Sequence, residues 1–160
     1  MMLALDSARW SELAQAHGSA EDIPRLLEAL QTLDGAPQRA ELWFGVWATL
    51  CPDGHLYAAA YAAVPHLLAI TIGQGPAERV AAMHVAAEVE ILRHEPGAPG
   101  IPGDLVPSYA LAIESLPSLV AALASESWDG ATAQVMAAAL LAGKHQPALA
   151  RVILRSSAIA

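Results

Sequence analysis

One short pattern constrains the fold of this chain more than any other feature: an apolar residue, then proline, then a variable position, then two apolar residues. Ile23-Pro24-Arg25-Leu26-Leu27 aligns with Val64-Pro65-His66-Leu67-Leu68 and with Leu116-Pro117-Ser118-Leu119-Val120. Gln146-Pro147-Ala148-Leu149-Ala150 is a weaker copy, and successive prolines stand 41, 52 and 30 residues apart. Proline costs about 3 kcal/mol inside a helix, so its return in helix-forming stretches marks a first turn or a kink between packed layers. A unit that recurs at such intervals is a helical hairpin that buries its apolar face only by stacking on its neighbours.

The punctuation between copies predicts eight helices in four pairs. Ser7 caps a first helix that runs to about His17 and stops at Gly18. Ser19 with Asp22 opens a second, to about Leu33, broken by Asp34-Gly35. The third runs from about Pro37 to Leu50 and ends at the turn Cys51-Pro52-Asp53-Gly54. The fourth extends from about Leu56 to Ile72, the fifth from Pro76 to about His94. Residues 95–107 are rich in proline and glycine and form a loop. Its Pro-Gly triplets favour an extended, polyproline-like path, either a binding lid or an insertion. The sixth helix covers about Ser108 to Ala124, the seventh Trp128 to Ala142 with Gly143 as its stop, the eighth Gln146 to Arg155. Each proline copy then falls in the second helix of its pair. The expected fold is all-α, with no sheet, in one domain over residues 1–160. Trp43, Trp47, Leu67, Leu68 and Leu119 are expected in its core.

Composition agrees. The chain is 55% hydrophobic but only 5% aromatic, and 36 alanines fill the gap. Alanine is the strongest helix former and lets helices approach closely. The apolar run from Leu56 to Ile72 nears membrane-spanning length, yet it contains Pro65 and His66 and is mostly alanine, so it reads as a buried central helix. The net charge of −8, with seven arginines and Lys144 as the one lysine, repels phosphate and disfavours nucleic acid while suiting a basic protein partner. Cys51 is the single cysteine, which excludes an internal disulfide and fits a reducing cytoplasm. Residues 1–8 lack the basic start of a signal peptide.

Glu41-Leu42-Trp43, Leu50, Gly54-His55-Leu56-Tyr57 and Ala60-Tyr61-Ala62-Ala63-Val64-Pro65-His66-Leu67-Leu68 together resemble a group of bacterial HEAT-like α-helical repeat proteins. The turn before the tyrosine, often His-Gln-Gly-Thr in that group, is Pro52-Asp53-Gly54-His55 here. The resemblance covers about 30 residues closely and the remainder as helix pattern. It implies an α-α superhelix and protein binding, sometimes in an antitoxin-like or regulatory role.

Few residues carry chemistry. Trp43 and Trp47 are four apart, as are Tyr57 and Tyr61, so each pair shares a helix face: a core seam, or an aromatic groove for a ligand. His84 with Glu88, and Glu90 with His94, have the spacing of metal ligands on a helix. The two pairs point about 120° apart, however, so no metal site and no cofactor is expected. Neither a nucleophile elbow nor a phosphate-binding glycine loop is present. The expectation is therefore a non-catalytic protein–protein interaction module acting through the face of the proline-bearing helices. Arg25 and His66, the residues after equivalent prolines, and Glu28 one turn on, would rim that face and contact the partner. The alternative is a small enzyme or ligand-binding protein that uses Tyr57, Tyr61 and His66.

Overall fold

A computed structural model describes residues 1–32 and 34–156. Among these, seven α-helices make up most of the chain: α1 (Ile23–Thr32), α2 (Ala36–Leu50), α3 (Ala59–Thr71), α4 (Pro76–Leu92), α5 (Val106–Ala121), α6 (Gly130–Gly143) and α7 (Pro147–Arg155). Proline stands in the first turn of α2, α4, α5 and α7, where a missing N–H costs nothing. Asp129 caps α6 by accepting a 2.7 Å hydrogen bond from the Thr132 N–H. The turn before α3 is a 3-10 segment over Pro52–Gly54, in which Asp53 (φ 51°) and Gly54 (φ 76°) both take positive φ.

The segment expected as a first α-helix folds differently. Ser7 does cap, but what it caps is a 3-10 turn over Ala8–Glu12. A two-residue antiparallel ladder follows, Ala14–Gln15 (β1) against Gly18–Ser19 (β2), so the expectation of no sheet is also corrected. The cause is local. Gly18 adopts φ 128°, and the buried Gln15 side chain donates to the Ser19 carbonyl and to Asp22 while accepting from the His17 N–H. These bonds satisfy backbone and side-chain polar groups of the tight turn. The Ala16 N–H is taken by the Thr49 carbonyl of α2.

Losing that helix shifts the pairing. α1 packs on α2, α3 on α4 and α5 on α6, so each of these proline-bearing helices is the first of its pair, not the second. α1, α3 and α5 also touch in succession as one row, and α4 and α6 pack side by side in a second row. α2 joins α4 through an Arg39–Glu78 ion pair (2.6 Å) and a Trp43 indole that donates to Glu78 (2.8 Å). α7 leaves the proline row and packs on α4 and α6. The prolines are not equivalent in position either. Pro24 and Pro147 lie in first turns, whereas Pro65 and Pro117 are inside their helices.

α3 is the buried central helix, with residues 59–68 all shielded from solvent. Trp43, Leu67 and Leu68 are buried as expected, but Trp47 and Leu119 are only partly covered. Trp47 sits at the margin of the α2–α4 contact, its indole edge-on to the His84 ring at 4.8 Å between centroids.

Candidate functional site

The face of the proline-bearing helices carries an open apolar groove between α3 and α5, with a volume of about 310 Å³. Small residues, Ala69, Ser108, Ala112 and Ser115, line it together with Pro65, Leu68, Ile72, Leu111 and Leu119, with Met1 and Met2 alongside. Leu111 is 65% exposed and Ile72 59%; other large apolar side chains, such as Phe44 on α2 and Val152 on α7, are also exposed, but these two flank one groove. The Ser108 and Ser115 hydroxyls donate to the carbonyls of Leu105 (3.1 Å) and Ala112 (2.7 Å) on their own segment, so their donors are spent.

Beside this groove the N-terminal residues lie across α3 as a strap. His66 Nε2 donates to the Leu3 carbonyl at 2.7 Å, and the Trp10 ring lies 6.1 Å from the imidazole. The Trp10 indole N–H donates to the Ala4 carbonyl, and Arg9 grips Asp104, just before α5, through two hydrogen bonds (2.9 and 3.2 Å). Burial holds the His66 imidazole below its usual range, although the Leu3 contact pulls the other way.

The residues expected to rim the face separate. Arg25 and Glu28 are exposed on α1, as a contact surface requires. His66 is corrected: it is buried under the strap and bonded to it, and does not share an exposed row with Arg25. Leu3 of the strap and the Trp10 ring, the latter within the 3-10 turn that replaces the helix predicted from Ser7, cover the His66 side of α3.

The two tyrosines also part. Tyr61 is fully buried, its ring edge-on to Tyr109 at 5.0 Å, and its hydroxyl donates to the Pro99 carbonyl (2.6 Å) in the proline-glycine loop. Desolvation pushes its phenol up to about 12. Tyr57 is half-buried in the turn just before α3. Tyr61 thus takes the core-seam place that the sequence also allowed, while Tyr57 stands apart from it. Further ties hold the loop at its two ends, Arg151–Glu95 (2.5 Å) and Arg9–Asp104.

The acidic residues of α4 are structural anchors. Glu90, 1% exposed, takes a bidentate Arg93 (2.6 and 2.8 Å) and the Tyr109 hydroxyl (2.9 Å), with His94 at 3.4 Å. Burial and the adjacent Glu90 carboxylate drive the Tyr109 phenol well above its usual range. Glu88 takes a bidentate Arg155 (2.9 and 2.6 Å) from α7. Both carboxylates are thus engaged by guanidinium groups, and no group of three metal-ligating side chains occurs among the described residues. Cys51 is buried, and desolvation raises its thiol to about 12.

Sequence reasoning missed Leu111, Ile72 and Ser115. In the sequence, Leu111 and Ile72 are indistinguishable from core aliphatics. The alternation of Ser108, Ala112 and Ser115 at helical spacing was the available signal of a shallow face on α5. Among the described residues, no helix is long and apolar enough to cross a membrane. Comparison of the chain with protein-family models, with curated proteins and with solved structures finds no match.

Proposed function

We propose that this protein is a non-catalytic interaction module that binds a protein partner along the face of its proline-bearing helices. The single observation that carries this reading is the α3–α5 groove, an open apolar depression flanked by exposed Leu111 and Ile72. Aliphatic side chains that flank a contiguous apolar depression, rather than standing singly in solvent, fit a surface that is covered in use. The succession α1, α3, α5 beside α4 and α6 supports a short HEAT-like superhelix, a scaffold whose rows of equivalent helices present extended binding faces. An antitoxin-like or regulatory role follows from the HEAT-like resemblance. Arg25 and Glu28 are exposed on α1, and in this reading they supply polar contacts to the same partner.

The enzymatic or ligand-binding reading is less favoured, because the Tyr61 hydroxyl and His66 Nε2 are engaged by the Pro99 and Leu3 carbonyls inside the fold. The test is site-specific photocrosslinking in the source cells. A photoreactive residue at Leu111 or Arg25 should capture one protein in stoichiometric yield, whereas the same residue at exposed Gln38 on α2 should not. Equal capture at all three positions, or none at Leu111, refutes the assignment.

A further inference from the structure

The shape and chemistry of the groove specify what kind of partner segment it takes. Its α3 side runs from Pro65 to Ile72, about 10 Å of helix at 1.5 Å per residue, and its α5 side from Ser108 to Leu119, about 16 Å. That length matches two to three turns of a docked helix, which would present anchors at i, i+3 or i+4, and i+7. The small lining residues let another helix approach closely. With the serine donors turned onto their own backbone, the lining rewards apolar side chains over a polar ligand.

Charge selects among such helices. Of sixteen acidic and eight basic side chains, six acidic and five basic ones pair with each other, because Arg9, Arg39, Arg93, Arg151 and Arg155 are committed to Glu12, Asp104, Glu78, Glu90, Glu95 and Glu88. Among the described residues, ten acidic groups and three basic ones, Arg25, Arg79 and Lys144, then stand outside these ion pairs, so a partner meets an acidic surface. Glu114 is exposed on α5 one turn beyond Leu111 and next to Ser115, on the flank of the groove. Arg79 borders the other end, where it lines a small depression together with Leu68, Ile72 and Leu119.

We propose that the α3–α5 groove receives an amphipathic helix from a basic protein, its apolar stripe on Ala69 and Ala112 and its flanking Lys and Arg residues toward Glu114 and the acidic surface. This rests on the interaction-module reading and adds to it the secondary structure and charge of the bound segment.

The experiment uses two labelled helical peptides with one leucine stripe, one flanked by Lys and Arg and the other by Glu, titrated by fluorescence anisotropy against the full chain. The basic peptide should bind at least about tenfold more tightly than the acidic one and weaken as salt is raised. A charge-neutral double variant, Leu111→Ser with Ile72→Ser, should lose that binding while keeping its circular dichroism spectrum. Glu114→Lys should weaken it several-fold. Equal binding of both peptides, or undiminished binding by the folded double variant, overturns the proposal. So does a chain that sediments as a dimer and becomes monomeric in the double variant, since the groove would then hold a second copy. If the Leu111 crosslink captures a partner while neither peptide binds, the interaction-module reading stands and the basic-helix assignment falls.

Discussion

Gly143→Ala should destabilise the protein, although helix propensity alone predicts the reverse. Gly143 is the last residue of α6 and has no positive φ, so an alanine there fits the backbone and gains up to about 1 kcal/mol of propensity. Tertiary packing opposes that gain. A Cβ at this position would lie 2.5 Å from Pro117 Cδ, 3.0 Å from the Ile113 carbonyl oxygen and 3.0 Å from Leu116 Cβ. None of the three can swing aside: one belongs to a proline ring inside α5, one is backbone, and one is the first side-chain atom of a fully buried leucine. Pro117 has no N–H for the Ile113 carbonyl four residues earlier, and α6 approaches α5 at this same spot. Relief therefore requires α5 and α6 to move apart, an overpacking cost of about 1–3 kcal/mol that rises with such rigid neighbours. The net expectation is a loss of about 2 kcal/mol, or roughly 4–8 °C in Tm for a chain of this size. Urea denaturation followed by circular dichroism measures it. Gly130→Ala is the control, since a Cβ there meets nothing within 4 Å, and it should stay within about 0.5 kcal/mol of the parent. A Gly143→Ala midpoint equal to or above the parent's would refute the close-approach reasoning.

Further outcomes follow from the same structure. Arg93→Ala removes the bidentate partner of a nearly inaccessible Glu90 and should cost about 3–5 kcal/mol, read by the denaturation midpoint; a loss under about 1 kcal/mol would show that Tyr109 and His94 suffice. Trp43→Ala should cost about 3–5 kcal/mol and Trp47→Ala clearly less, because only Trp43 is buried with its indole N–H bonded; equal losses would contradict that difference. Burial holds His66 and His84 below the usual imidazole range, so the unfolded chain binds these protons more readily and stability should fall as pH drops below about 6.5. Glu78, whose carboxyl Arg39 holds below its usual range, adds a further loss at lower pH as it protonates. The combined variant His66→Gln with His84→Gln should show a shallower fall between pH 7 and 5, and a pH-independent parent midpoint would exclude the effect.

The sequence by itself determined which segments become helices and roughly where they end, because those properties are local. Six of the predicted helices lie within a few residues of α2 to α7, and α1 matches the second as far as Thr32, Leu33 lying outside the described residues. Alanine content, proline at first turns and glycine at breaks all act over a single turn of chain. The burial of α3 was legible for the same reason, since a run with no polar face has no side to give to water. Residues 1–22 escaped that logic. Gln15 and Gly18 form a side-chain-supported turn whose backbone is completed by Thr49, some thirty residues away. Only tertiary structure decided which proline helices are neighbours, and it separated residues that the repeat placed in one row. His66 follows its proline just as Arg25 does, yet a strap covers one and leaves the other in water. Leu111 shows the same limit from the opposite side: its leucine character is local, but its 65% exposure depends on how far α3 stands off across the groove. Burial is a property of neighbours, and chain spacing encodes neighbours only within one element.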